Sequence, residues 1–223
     1  MKRKILRGLF IAVFGIASEA AETDSPPPVA KKRGVDQTLT GYKPTQLLSF
    51  KIGYLYRAGG QGDFKHFRDG SVLHSGDHLK LIFTPTEDNI YIYIFMVDSH
   101  NNVARLFPTD KFKGAAKANK NPVKKSVKYF VPAKSKSFQL DNNTGEESIY
   151  LIATRQPDEV LEKPSKFILA KAKRRLIEPE LVDDVPDNTP IVFIEDGKKF
   201  SVLPKYLKNM CEECVYRVTF QHH

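Results

Sequence analysis

The run Ile90-Tyr91-Ile92-Tyr93-Ile94-Phe95-Met96-Val97 constrains this chain more than any other segment. Its eight residues are all apolar or aromatic, and it is strand-length rather than helix-length. Isoleucine, valine, tyrosine and phenylalanine suit a pleated backbone. Successive side chains of a strand point to opposite faces, so this run leaves neither face polar. It predicts a central strand covered on both sides, which in turn demands packed layers around it.

Flanking segments supply partners of the same kind. Phe50, Ile52, Tyr54 and Tyr56 alternate with Lys51, Gly53 and Leu55 before the break at Gly59-Gly60-Gln61-Gly62-Asp63. His78 to Phe83 forms a second run, and Pro85 closes it. Ser99-His100-Asn101-Asn102 is a turn cluster, and Val103 to Phe107 after it, stopped by Pro108, predicts a hairpin with the central strand. Beyond a polar loop over 109–126, short strands are expected at 128–131, 137–140 and 148–153. The turn Asp141-Asn142-Asn143-Thr144-Gly145 stands between the last two. Pro157-Asp158-Glu159 can open a helix, with acids suited to its first turn. Phe167 to Ala170 and Leu176-Ile177 continue the apolar pattern, with Pro164 interrupting. An acidic, Pro-containing loop over 178–190 then leads to strands at Ile191–Ile194 and Val215–Phe220. The expected fold is mainly β: an antiparallel β-sandwich or open barrel with one or two helices on the C-terminal side, forming one domain over 45–223.

The N-terminus reads as an address. Lys2, Arg3, Lys4 and Arg7 precede the apolar stretch Leu9 to Ala17, and small residues then permit cleavage after Ala17 or Ala20. The stretch is too short to span a hydrocarbon core of about 30 Å, so residues 1–20 are expected to be a removable signal peptide. A linker over 21–44 follows, with Ser25-Pro26-Pro27-Pro28 and Lys31-Lys32-Arg33. The mature protein is expected in the periplasm or outside the cell, with no transmembrane segment. The formal charge is +9. A third of it would leave with the signal peptide, and the remainder is weak for a dedicated nucleic-acid binder.

Cys211 and Cys214 are the only cysteines. In an oxidising compartment they are expected to pair as a disulfide. Cysteines three residues apart in an extended strand would stand about 10 Å apart, beyond disulfide reach. The pair must therefore occupy a turn or a helical turn, with the last strand starting at about Cys214. Glu212-Glu213 between them is unlike a thiol oxidoreductase insert, and no thioredoxin-like pattern surrounds it.

Local chemistry motifs are absent: no Gly-x-Ser-x-Gly, no phosphate-binding Walker loop, no His-Glu-x-x-His. A triad dispersed along the chain stays open. No catalytic, cofactor-binding or metal residue is assigned, and no cofactor is expected. His74 and His78 have helical metal-ligand spacing but flank Gly76 before a strand, so a solvated turn is favoured; His66 and Asp63 stand nearby. Asp141, Asn142, Asn143, Glu146 and Glu147 are oxygen-rich but lack the spacing of a calcium loop. The same applies to Asp183, Asp184, Asp187 and Asn188. Lysines are the stronger signal. Residues 111–140 hold Lys111, Lys113, Lys117, Lys120, Lys124, Lys125, Lys128, Lys134 and Lys136 and no acid. Such a field suits an anionic partner, while a solvated loop guarding strand edges is the competing reading. Stacking aromatics are sparse, which argues against nucleic acid.

Several fragments recur in a fixed order: Ser75-Gly76-Asp77 before an apolar strand, Tyr91 to Phe95, Leu106-Phe107-Pro108, Asn121-Pro122-Val123, Phe130-Val131-Pro132, Gly145-Glu146-Glu147 and Ile152-Ala153-Thr154-Arg155. In that order they resemble a bacterial domain of unknown function, DUF4384, over residues 59–163. Lys125-Ser126 departs from the family, which tends to have a Gly-containing turn there. The resemblance implies a β-sandwich module of exported or multidomain bacterial proteins. It carries no activity and no functional residue. The expectation is therefore a non-catalytic binding or interaction module of the bacterial envelope, its partner an envelope protein or an acidic envelope polymer. The alternatives are an envelope enzyme or accessory subunit with a dispersed active site, and a secreted host-interaction factor.

Overall fold

The computed structural model describes residues 47–109, 118–167, 171, 174–177, 181–183 and 189–223. The expected signal peptide and linker, and Lys111, Lys113 and Lys117, lie outside the described residues. The strands, in order, are β1 (Leu48–Arg57), β2 (Lys65–His66), β3 (Ser71–Leu73), β4 (His78–Pro85), β5 (Tyr91–Val97), β6 (Val103–Phe107), β7 (Tyr129–Val131), β8 (Phe138–Gln139), β9 (Gly145–Thr154), β10 (Leu176–Ile177), β11 (Leu181–Val182), β12 (Ile191–Glu195), β13 (Lys198–Val202), β14 (Lys205–Met210) and β15 (Val215–His222).

They form two large sheets and one hairpin. The first sheet runs β11-β14-β1-β4-β7, with β2 beside β1 and β8 beside β4. The second runs β10-β15-β9-β5-β6, with β3 beside β15. Pairing is antiparallel except where β10 and β3 run parallel to β15. The sheets are open-edged, and no barrel closes. Between them lies the main core, in which Phe50, Ile52, Leu81 and Phe83 from the first sheet meet Ile92, Ile94, Leu151 and Val218 from the second.

Strand β5 is the central strand its sequence demands. It sits between β9 and β6, and Ile92, Tyr93, Ile94 and Phe95 are each 0% exposed. Ile92 and Ile94 face the main core, while Tyr93 and Phe95 face a second cluster with Tyr150, Ile152, Leu161 and Phe167. That second face is covered by the segment after β9. Phe167 stacks on Phe95 at 4.2 Å between ring centroids, and the Tyr93 hydroxyl donates to Glu162.

The helices expected over 157–177 are not borne out among the described residues. Asp158 accepts from the Val160 and Leu161 amides, which starts a helical turn. Pro164 has no N–H to continue it, and a 3-10 turn, Pro164–Lys166, follows; of the described residues beyond it, Phe167 and Lys171 are helical. Prolines end strands as expected, Pro108 after β6 and Pro132 after β7. Asn121 takes the place of a strand: its side chain accepts from the Ile92 N–H and donates to the Ile92 carbonyl, at 2.9 and 2.8 Å.

Candidate functional site

The outer face of the first sheet carries the hairpin β12–β13. Alternation places Leu55 of β1 and Ile82 of β4 on that face, opposite the main core. Ile191, Phe193, Phe200 and Val202 of the hairpin pack onto them, with Phe64 between. Phe64 lies 5.0 Å from Phe200 and 5.5 Å from Phe193, centroid to centroid. Beneath the hairpin is a buried ion pair. Lys80, on β4 and 0% exposed, puts Nζ 2.5 Å from Glu195 Oε2 at the end of β12. The ammonium also donates to the carbonyls of Ala133 and Lys136 and faces the Phe193 ring at 5.2 Å. Burial holds the Lys80 pKa below its usual value, and Glu195 opposes that shift. Glu195 Oε1 accepts from the Ser137 hydroxyl at 2.6 Å. His78 Nδ1 lies 2.9 Å from Ser137 Oγ and 3.4 Å from the Arg57 guanidinium. Arg57 adds a bond to Asp196 at 3.0 Å while lying over the Phe64 and Phe200 rings.

The hairpin so anchored makes one wall of two adjoining grooves. The first, about 400 Å³, is lined by Lys51, Lys125 and Lys128, by Thr84, Thr86, Ser126 and Thr189, and by Ile191 and Pro204 on the hairpin side. The second, about 460 Å³, shares Lys128 and adds Lys134, Asn119, Phe130 and Val192. Among the described residues, no carboxylate lines either groove. The loop bearing Lys125 and Lys128 is fixed by its backbone: Lys125 N–H donates to Asp88, and Lys124 N–H donates to the Tyr129 hydroxyl.

Of the lysines singled out by sequence, the structure brings Lys125 and Lys128 to the groove, together with Lys134. Lys120 and Lys124 are exposed but do not line it. Sequence reasoning missed Lys51, which stands far away in the chain. Its place on the polar side of the alternating β1 was the available signal. Cys211 and Cys214 sit at disulfide distance, with Cα atoms 5.5 Å apart. They flank a turn at Glu212-Glu213, and β15 starts at Val215.

The other candidates part company. His78 turns to Ser137, while His74 lies beside His223 with ring centroids 6.3 Å apart. Asp141 closes an Asx turn by accepting from the Asn143 N–H and Nδ2. Glu146 meets Gln221, and Glu147 meets His222. Asp183 pairs with Lys205, and Asp184, Asp187 and Asn188 lie outside the described residues. Among the described residues, no group of three or more His, Cys, Asp or Glu could hold a metal ion, and no helix is long and apolar enough to cross a membrane.

Residues 72–157 match the family model of a domain of unknown function, DUF4384. The match runs from within β3 through β9, so it contributes Thr84, Thr86, Lys125 and Lys128 to the groove. Lys51 and the hairpin come from outside it. No curated protein and no solved structure matches the chain.

Proposed function

We propose that this DUF4384-bearing chain is an exported binding module of the bacterial envelope that grips an anionic group of its partner in the lysine-lined groove. The observation that carries the reading is the composition of that groove: three lysines, and no carboxylate among the described residues that line it. Lysines along one concave wall raise the local concentration of anions, and the Ser126 hydroxyl adds a donor for phosphate or carboxylate oxygens. The partner is an acidic envelope polymer or the acidic surface of an envelope protein. Of the residues lining the grooves, only Phe130 is aromatic, which leaves no platform for stacked bases. Export rests on the basic and apolar N-terminus and agrees with the cysteine pair, since oxidising compartments preserve such bridges.

The test is retention of the purified mature protein on an anionic polysaccharide and on polyphosphate across a salt series. Exposed charges are screened over about 8 Å at physiological ionic strength, so retention should fall as salt rises. Lys125→Glu with Lys128→Glu should weaken it by about tenfold or more, equivalent to about 1.4 kcal/mol. Retention indifferent to salt and to both substitutions overturns the groove. N-terminal sequencing of the native protein should begin near Ser18 or Ala21; a sequence beginning at Met1 overturns export.

A further inference from the structure

We infer that Ser75, His222 and Glu147 form an acyl-transfer relay at the rim of the sandwich, with Ser75 the nucleophile toward activated carboxylic esters. The relay shares no residue with the lysine-lined groove and goes beyond the binding reading.

Its geometry follows from sheet register. Glu147 on β9 pairs with Phe220 on β15, and Gly145 pairs with His222. The side chains of Glu147 and His222 are thus diagonal neighbours on one face. Both are buried, at 3% and 0% side-chain exposure, and His222 Nδ1 lies 2.7 Å from Glu147 Oε1. A carboxylate only accepts, so Nδ1 carries the hydrogen and Nε2 presents its lone pair. That lone pair faces Ser75 Oγ at 3.2 Å. Hydroxyl, imidazole and carboxylate stand in the order by which a serine is deprotonated as it attacks.

Ser75 is exposed on a turn that is held from several sides. Asp77, which is buried, accepts from the His74 and Gly59 amides at 2.9 and 2.8 Å. The Ser75 N–H donates to the His223 carbonyl at 2.9 Å, and Gly76 takes φ +88°, a value that side chains disfavour. The imidazolium that forms when His222 takes the serine proton lies 2.7 Å from Glu147 Oε1.

The backbone also fixes the substrate class. The N–H groups of Ser75, Gly76 and Asp77 already donate to the carbonyls of His223, Leu140 and His74. None is left to meet an oxyanion, and loss of one such donor typically costs about 10²–10³ in rate. The relay therefore suits esters whose leaving group departs easily, aryl esters and thioesters, and not amides. Ser75 Oγ adds to the ester carbon while its proton passes to His222 Nε2, and the carbonyl π pair moves onto oxygen. Collapse expels the aryloxide or thiolate, which takes the proton back from Nε2 and leaves as phenol or thiol, and acyl-Ser75 remains beside a neutral His222. Water then gives a proton to Nε2 as it attacks, and Nε2 passes that proton to Ser75 Oγ as the acid is released. The net change is ester plus water to acid plus phenol or thiol.

The experiment treats the full mature protein with p-nitrophenyl acetate, following nitrophenolate release and locating the acetyl group by peptide mass. The expected result is an acetyl on Ser75. Ser75→Ala, an exposed site whose melting temperature is checked alongside, should lower the rate of acylation by about 10²–10⁴-fold, to background. Glu147→Gln tests positioning: with the fold intact by circular dichroism, it should move the pH profile of acylation as well as its rate. Lys125→Glu with Lys128→Glu should change neither, which separates this relay from the groove. Acetylation confined to lysines, or equal rates in wild type and Ser75→Ala, overturns the proposal.

Discussion

Replacing Glu195 with leucine breaks the ion pair buried beneath the hairpin. Lys80 would be left 0% exposed, beside two carbonyls and the Phe193 and Phe64 rings, and buried Arg57 would lose a carboxylate 3.6 Å away. Removing one partner of a buried pair costs about 3–5 kcal/mol, because the other charge stays desolvated. Whole domains hold only about 5–15 kcal/mol, so the variant should sit near the edge of folding. The cost carries a pH signature. Burial already holds the Lys80 pKa below its usual value, and loss of Glu195 removes an opposing influence. A folded state that binds fewer protons than the unfolded state gains stability as pH rises. Glu195→Leu should therefore recover on going alkaline, at up to about 1.4 kcal/mol per pH unit for one proton. It should recover until the ordinary lysine range is passed. Lys80→Met combined with Glu195→Leu removes both charges and should return to within about 1 kcal/mol of wild type or exceed it. Urea unfolding followed by tyrosine fluorescence suits a chain with nine tyrosines and no tryptophan. A cost under about 1 kcal/mol for the single variant, or a double variant as weak as the single, refutes the reasoning.

Other outcomes follow from the same structure. Ile94→Ala, at a 0% exposed position of β5, should cost about 2–5 kcal/mol in urea unfolding; an unchanged midpoint would contradict its place in the core. Burial raises the Glu147 pKa, with Asp141 and Asp98 reinforcing and His222 opposing. The folded state thus holds a proton longer than the unfolded chain, and stability should fall as pH rises from the ordinary glutamate range through the raised value. Melting temperatures of Glu147→Gln should lack that decline, and parallel curves for the two proteins would dismiss it. Reducing Cys211–Cys214 should lower stability by less than the roughly 3 kcal/mol of a 15-residue loop. Intact mass with alkylation should show no free thiol before reduction, and two free thiols in protein isolated without reductant would refute the bridge.

What was legible in the sequence is what local chemistry fixes. β5 announced itself because neither of its faces was polar. The prolines after β6 and β7 marked their ends, and the reach of a disulfide placed Cys211 and Cys214 on a turn. Strands of two residues, such as β2 and β11, have no pattern to read; a long neighbour's free backbone groups recruit them. β13 and β14 were missed because Lys198, Lys199, Lys205 and Lys208 dilute their apolar positions. Pro164 interrupts the helical turn that Asp158 starts. Lys80 reads as the solvent side of an alternating strand, and its partner stands 115 residues further on. Ser75, Glu147 and His222 share no local motif; only the pairing of β9 with β15 and the turn before β4 bring them together.

The last two strands occupy interior places. β14 lies between β11 and β1, and β15 lies between β10 and β9. A chain that emerges N-terminus first, from a ribosome or through a membrane pore, therefore cannot complete either sheet until residues 205–222 are out. Until then β1 and β9 expose unpaired edges beside apolar faces, the combination that invites wrong pairing between chains. The sandwich closes like a zip whose slider is β15, and any holding factor that binds these edges must stay bound until residues 205–222 arrive.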